Sequence, residues 1–84
     1  MSERLLYEAY SVARAVEVAC GATEEMEAVF EVLEEALDYP GRVEAEALEE
    51  AALLLRSAAD RLRRRGCLEW YMLEQAADTL EHIY

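Results

Sequence analysis

Apolar residues recur at intervals of three and four along most of the chain, and the rhythm breaks at three places. These are Cys20-Gly21-Ala22-Thr23, Tyr39-Pro40-Gly41 and Gly66-Cys67, which together hold all three glycines and the single proline. Between the breaks Ala, Leu and Glu dominate, residues that lose little freedom on entering a helix. No segment alternates apolar and polar positions with β-branched residues, as a half-buried strand would. The spacing therefore predicts four helices: residues 3–19 with Ser2 as N-cap, 24–38 with Thr23 as N-cap, 42–65, and 68–83.

Each predicted helix carries one apolar face. The first has Leu5, Ala9, Val12, Val16 and Ala19, flanked by Leu6, Ala13 and Cys20, with Tyr7, Tyr10, Arg14 and Val18 on the other side. The second has Met26, Val29, Phe30, Leu33, Ala36 and Leu37; the third has Leu48, Ala51, Leu54, Leu55, Ala58 and Leu62, with Leu53 turned away. The fourth has Met72, Leu73, Ala76, Leu80 and Ile83. A one-faced helix needs others to cover it, and short connections favour antiparallel neighbours. The expected fold is all-α, a single domain over residues 1–84 built as a compact four-helix bundle in up-down-up-down antiparallel order. A less regular helical array, or a dimer that completes the core across two chains, is the alternative.

Composition narrows this picture. A core made from 84 residues is small, so it must pack efficiently or be extended by association. The 55% apolar content excludes intrinsic disorder. No apolar run approaches the roughly 18 residues of a membrane span, and Met1-Ser2-Glu3-Arg4 has no signal-peptide pattern. The expected location is the cytoplasm, or the host cytoplasm for a viral protein. Nineteen acids against eight bases, all of them Arg, give a net charge of -11. That balance argues against direct contact with nucleic acid or with anionic membranes and favours a basic partner.

The charge is segregated along the chain. Residues 22–50 carry eleven acids and one Arg, a local charge of -10, whereas residues 51–68 carry five Arg and Asp60, or +4. Glu24, Glu27, Glu31, Glu34, Glu35 and Asp38 fall on one face of the second helix, and no base occurs between Arg14 and Arg42. Like charges one turn apart destabilise a helix by roughly 0.2–0.5 kcal/mol per pair, so the row costs stability. Carboxylates repeating about every 5.4 Å resemble phosphates along a nucleic-acid strand. The functional expectation is a non-enzymatic inhibitor or adaptor that docks on a basic, nucleic-acid-binding protein. Viral anti-restriction and anti-CRISPR proteins use this strategy. Glu74, Asp78 and Glu81 on the fourth helix would widen the surface, and Tyr7, Tyr10 and Tyr71 would add the aromatic contacts common at binding hot spots. The plain alternative is a solvated Glu-rich face that confers solubility. A structural or assembly subunit of a helical homo- or hetero-oligomer, of the antitoxin or accessory-protein type and including a homodimer, is the alternative function.

The remaining chemistry is sparse. Arg61, Arg63, Arg64 and Arg65 end the third helix, where cations suit its dipole, and they do not make a nucleic-acid patch on so acidic a chain. His82 is the sole histidine, so with Asp78 it makes at most half a metal site. Ser2, Ser11 and Ser57 have no histidine arranged for a triad. No catalytic residue, cofactor or metal is expected. In an up-down bundle Cys20 and Cys67 lie at one end on adjacent helices, so a disulfide is geometrically feasible. For a cytosolic protein two partly buried thiols are the expectation.

Overall fold

Four α-helices, joined by three short connections, account for most of residues 3–83, which are those the computed structural model describes. They are α1 (Glu3–Cys20), α2 (Glu24–Asp38), α3 (Ala45–Arg64) and α4 (Trp70–Glu81). The described residues contain no strand. The expected N-cap Ser2 lies outside the described residues. Thr23 caps α2 as its sequence position predicts: its Oγ1 accepts from the Met26 N–H at 3.1 Å, satisfying one of the donors a helix start leaves unpaired.

Two helix starts come later than the sequence suggests, for local reasons. The Arg42 N–H donates to the Tyr39 carbonyl at 3.0 Å, and Gly41 has φ +88°. This is a turn with Pro at its second position and Gly at its third, the geometry a type II turn demands. The turn uses up Arg42, and α3 begins only after the extended cap residue Glu44. α4 starts at Trp70 and not at residue 68, because Gly66 and Cys67 complete the C-terminal cap of α3 and Leu68 and Glu69 form a further turn.

α1 packs against α2 and α4, and α3 packs against the same two helices. The dimensions, 37 × 19 × 18 Å, leave room for two helix diameters of about 10 Å across the short directions. The Cα radius of gyration of 11.7 Å matches the value of about 11.8 Å for a compact chain of this length. Met26, Leu33, Leu55, Leu62, Leu73 and Leu80 are fully buried and form the centre. The inward line of α1 is Leu6, Ala9, Ala13 and Val16. The expected stripe is therefore rotated: Leu5 and Val12 are half-buried and Ala19 is exposed, because α1 must face α2 and α4 together. Ala52, Ala59 and Ala77 are also buried. Among the described residues no helix is long and apolar enough to cross a membrane.

The cysteines are not separate thiols. Cys20 and Cys67 form a disulfide with Cα atoms 5.9 Å apart, which ties the end of α1 to the connection between α3 and α4.

Candidate acidic interaction face

The acidic row of α2 is a line on the outside of the molecule. Glu24, Glu27, Glu31, Glu35 and Asp38 are all exposed, and among the described residues none of them makes an ion pair. Their spacing follows from the helix itself. Met26, Val29, Phe30, Leu33 and Ala36 turn inward, which forces the residues opposite them outward. From Glu24 to Asp38 the line runs about 21 Å at a rise of 1.5 Å per residue.

Glu34 differs from the rest of the row. Arg14 on α1 reaches across, and its Nη2 donates to Glu34 Oε2 at 2.8 Å. The Tyr10 hydroxyl donates to the same oxygen at 2.8 Å and accepts from Arg14 Nε at 3.0 Å, while Arg14 Nη1 donates to Glu17 at 2.7 Å. The guanidinium carbon also lies 4.1 Å from the centre of the Phe30 ring. Glu17 and Tyr10, then Glu34, raise the Arg14 pKa, so the group stays charged. Tyr10, expected on the outer side of α1, is instead half-buried with its ring edge against Phe30, the centroids 5.9 Å apart. Sequence distance concealed this network, because Arg14 sits beside α2 only once the chain has folded.

Glu25 is likewise taken up. Arg61 of α3 pairs with it at 2.9 Å. Its own backbone N–H most of all, then the Thr23 side chain and the charges of Arg61 and Arg65, hold its carboxyl below the usual range against the opposing effect of burial.

Two of the three acids in the α4 row share one arginine. Arg56 Nη2 lies 2.6 Å from Asp78 and 2.7 Å from Glu81, and these two acids raise the arginine's pKa. Arg56, which could also have faced α2, serves α4 instead. Glu74 is half-buried and has no ion pair among the described residues. His82 Nδ1 lies 2.7 Å from the Asp78 backbone carbonyl, so this pair does not present two side-chain ligands to one point. Arg63 and Arg64 fork onto Asp60 at 2.9 and 3.0 Å, as expected for a helix end.

Tyr7 and Tyr71 are exposed, and Tyr71 stands edge-on to Trp70. Four acids outside the expected row belong with it by charge and exposure. Glu44, Glu46, Glu49 and Glu50 are exposed where α3 begins, close in sequence to the end of α2, and none has an ion pair among the described residues. Their signal was present in the local charge of residues 22–50. The row resembles one strand of a duplex at reduced density: a carboxylate about every 5.4 Å against a phosphate about every 3.4 Å of axis.

The chain matches no protein-family model, and neither curated proteins nor solved structures give a match.

Proposed function

We propose that this chain is a non-enzymatic inhibitor or adaptor that presents the outer line of α2 to a basic, nucleic-acid-binding protein and occupies the channel meant for DNA or RNA. The supporting observation is that Glu24, Glu27, Glu31, Glu35 and Asp38 stand exposed in one line with no ion pair among the described residues, although eight arginines are present. A surface kept unneutralised at a cost in stability attracts a positively charged groove and speeds encounter with it. The site of action is the cytoplasm, or the host cytoplasm if the source is viral. In that reducing compartment the Cys20–Cys67 bridge is expected to be open.

The reading includes an up-down-up-down antiparallel order of the helices. The cross-helix ion pairs support it, because two of them centre within a connection and the third one residue beyond it. Arg14 with Glu34 centres on residue 24, Glu25 with Arg61 on 43, and Arg56 with Asp78 on 67. A contact centred on the connection between two helices is what an antiparallel helical hairpin makes.

The test is affinity capture followed by competition. The captured partner should be a basic nucleic-acid-binding protein whose duplex or single-stranded ligand displaces this chain. Reversing Glu27 and Glu31 to Arg together should abolish that competition and flatten the salt dependence of the on-rate. A partner that binds the reversed variant equally well, or holds nucleic acid and this chain at once, would refute the mimic. A second reading, self-assembly, is favoured by Tyr7 and Leu53, each 64% exposed. Light scattering that finds only monomer at high concentration would exclude it.

A further inference from the structure

At the end of the molecule where α1 and α3 both stop, three side chains with metal-ligating atoms converge. Cys20 closes α1, and the following Gly21 N–H donates to the Glu17 carbonyl at 2.8 Å. Cys67 follows Gly66, whose φ of +88° turns the chain. The Gly66 N–H donates to the Arg63 carbonyl at 3.1 Å and the Cys67 N–H to the Leu62 carbonyl at 3.0 Å, the two bonds of a Schellman cap. Helix-cap hydrogen bonds therefore fix the backbone around both cysteines. Glu69, the cap residue of α4, places Oε1 3.6 Å from Cys20 Sγ and 3.7 Å from Cys67 Sγ. All three residues are half-buried.

While the sulfurs are bridged they have no proton to donate to this carboxylate. Reduction changes the chemistry. In the bridged structure the two sulfurs and a Glu69 oxygen already lie within 4.8 Å of one another, and reduction frees both sulfurs to act as ligands. Two thiolates and a carboxylate this close would repel one another, and a divalent cation bound between them relieves that repulsion. Two thiolates with one carboxylate suit a borderline-soft divalent ion such as Zn2+, with water at the fourth position. Ca2+ and Mg2+ prefer oxygen alone.

We propose that Cys20, Cys67 and Glu69 of the reduced chain bind one Zn2+-type cation, so that the metal and the disulfide are alternative staples for the same end of the molecule. In closing the bridge, the two metal-bound thiolates give up an electron pair, the S–S bond forms and the cation leaves as Zn2+. A low-molecular-weight disulfide takes the electron pair and two protons and departs as two thiols. A dithiol reverses the step.

The test uses the whole chain, reduced, freed of thiol under inert gas, and titrated with Co2+. A thiolate-to-cobalt charge-transfer band should grow to one cobalt per chain and disappear on adding one equivalent of Zn2+. The unreduced chain should show no band, and neither should Cys20→Ser match the wild-type intensity. Glu69→Gln, which preserves both sulfurs, should weaken cobalt binding by about tenfold or more. The proposal is overturned if the reduced wild-type chain gives no such band, if one cobalt binds per two chains, or if Glu69→Gln titrates like wild type. The wild-type titration decides without relying on any variant to fold.

Discussion

Replacing Glu31 with Arg should make the protein more stable. Glu31 lies exposed in the middle of the α2 line, with Glu27 one turn before it and Glu35 one turn after, and no base reaches any of the three among the described residues. Each like-charged pair one turn apart costs roughly 0.2–0.5 kcal/mol, and an opposite-charged pair returns a similar amount. The substitution removes two repulsions and creates two attractions. Only the pair with Glu27 has the favourable order, acid before base, so a net gain of about 1 kcal/mol is the working figure. For a domain of this size that is a rise in melting temperature of roughly 4–8 °C. Glu31→Gln removes the repulsions alone and should gain about half as much.

Thermal melts followed by circular dichroism at low salt and near 1 M salt make the check. The Debye length shrinks to about 3 Å at 1 M, so most of the gain should vanish there. A variant that melts at or below the wild-type temperature at low salt would refute the claim that this face is uncompensated. A gain of the same size at both salt concentrations would show that its origin is not electrostatic. The result also bears on function: a stabilised variant that loses partner binding has lost it at the surface and not by unfolding.

Three further outcomes follow from the packing. Leu33→Ala empties a fully buried site and should cost about 2–5 kcal/mol in urea denaturation, whereas Leu53→Ala at an exposed site should stay within about 0.5 kcal/mol of wild type; equal effects would contradict the assigned faces. Reducing the Cys20–Cys67 bridge, which closes a loop of sequence separation 47, should cost up to about 4 kcal/mol by chain entropy in the absence of divalent metal, and Cys20→Ser should be insensitive to reductant; a wild-type melt unmoved by reductant would argue against the bridge. Glu25 has a lowered pKa in the folded chain, so its stabilisation is complete above the unfolded carboxylate value of about 4.3 and is lost as the pH falls through the lower folded value. Glu25→Gln should therefore be less stable than wild type near neutrality and flatter in acid, and parallel stability curves from about pH 6 to pH 2 would contradict this.

Much of the architecture is legible because it depends on local rules. The number of helices follows from the three breaks, α2 from Thr23 and its apolar face, and the end of α3 from Gly66. Helix starts are less legible where a turn competes for the same residues, as the Pro40-Gly41 turn does for Arg42. The face of α1 is hard to read because Ala and Val mark both its seams and its centre. Its need to face α2 and α4 together buries Ala13 fully and Val12 only in part.

The acidic face shows the deeper limit. Periodicity puts six acids of α2 in one row, but it does not distinguish the crest of the helix from the seam with a neighbour. Glu34 borders α1 and Glu25 borders α3, and at those seams the long side chains of Arg14 and Arg61 reach them. Arg56 does the same at the seam of α3 with α4. An arginine rooted on an adjacent helix spans a seam but does not climb to the crest, so Glu24, Glu27, Glu31, Glu35 and Asp38 keep their charge. Neutralising that crest would need bases within α2 itself, and α2 contains none. The unpaired line is thus the joint result of two facts, one visible in the sequence and one created by folding: α2 lacks a base of its own, and every base that folding brings to it stops at the edge.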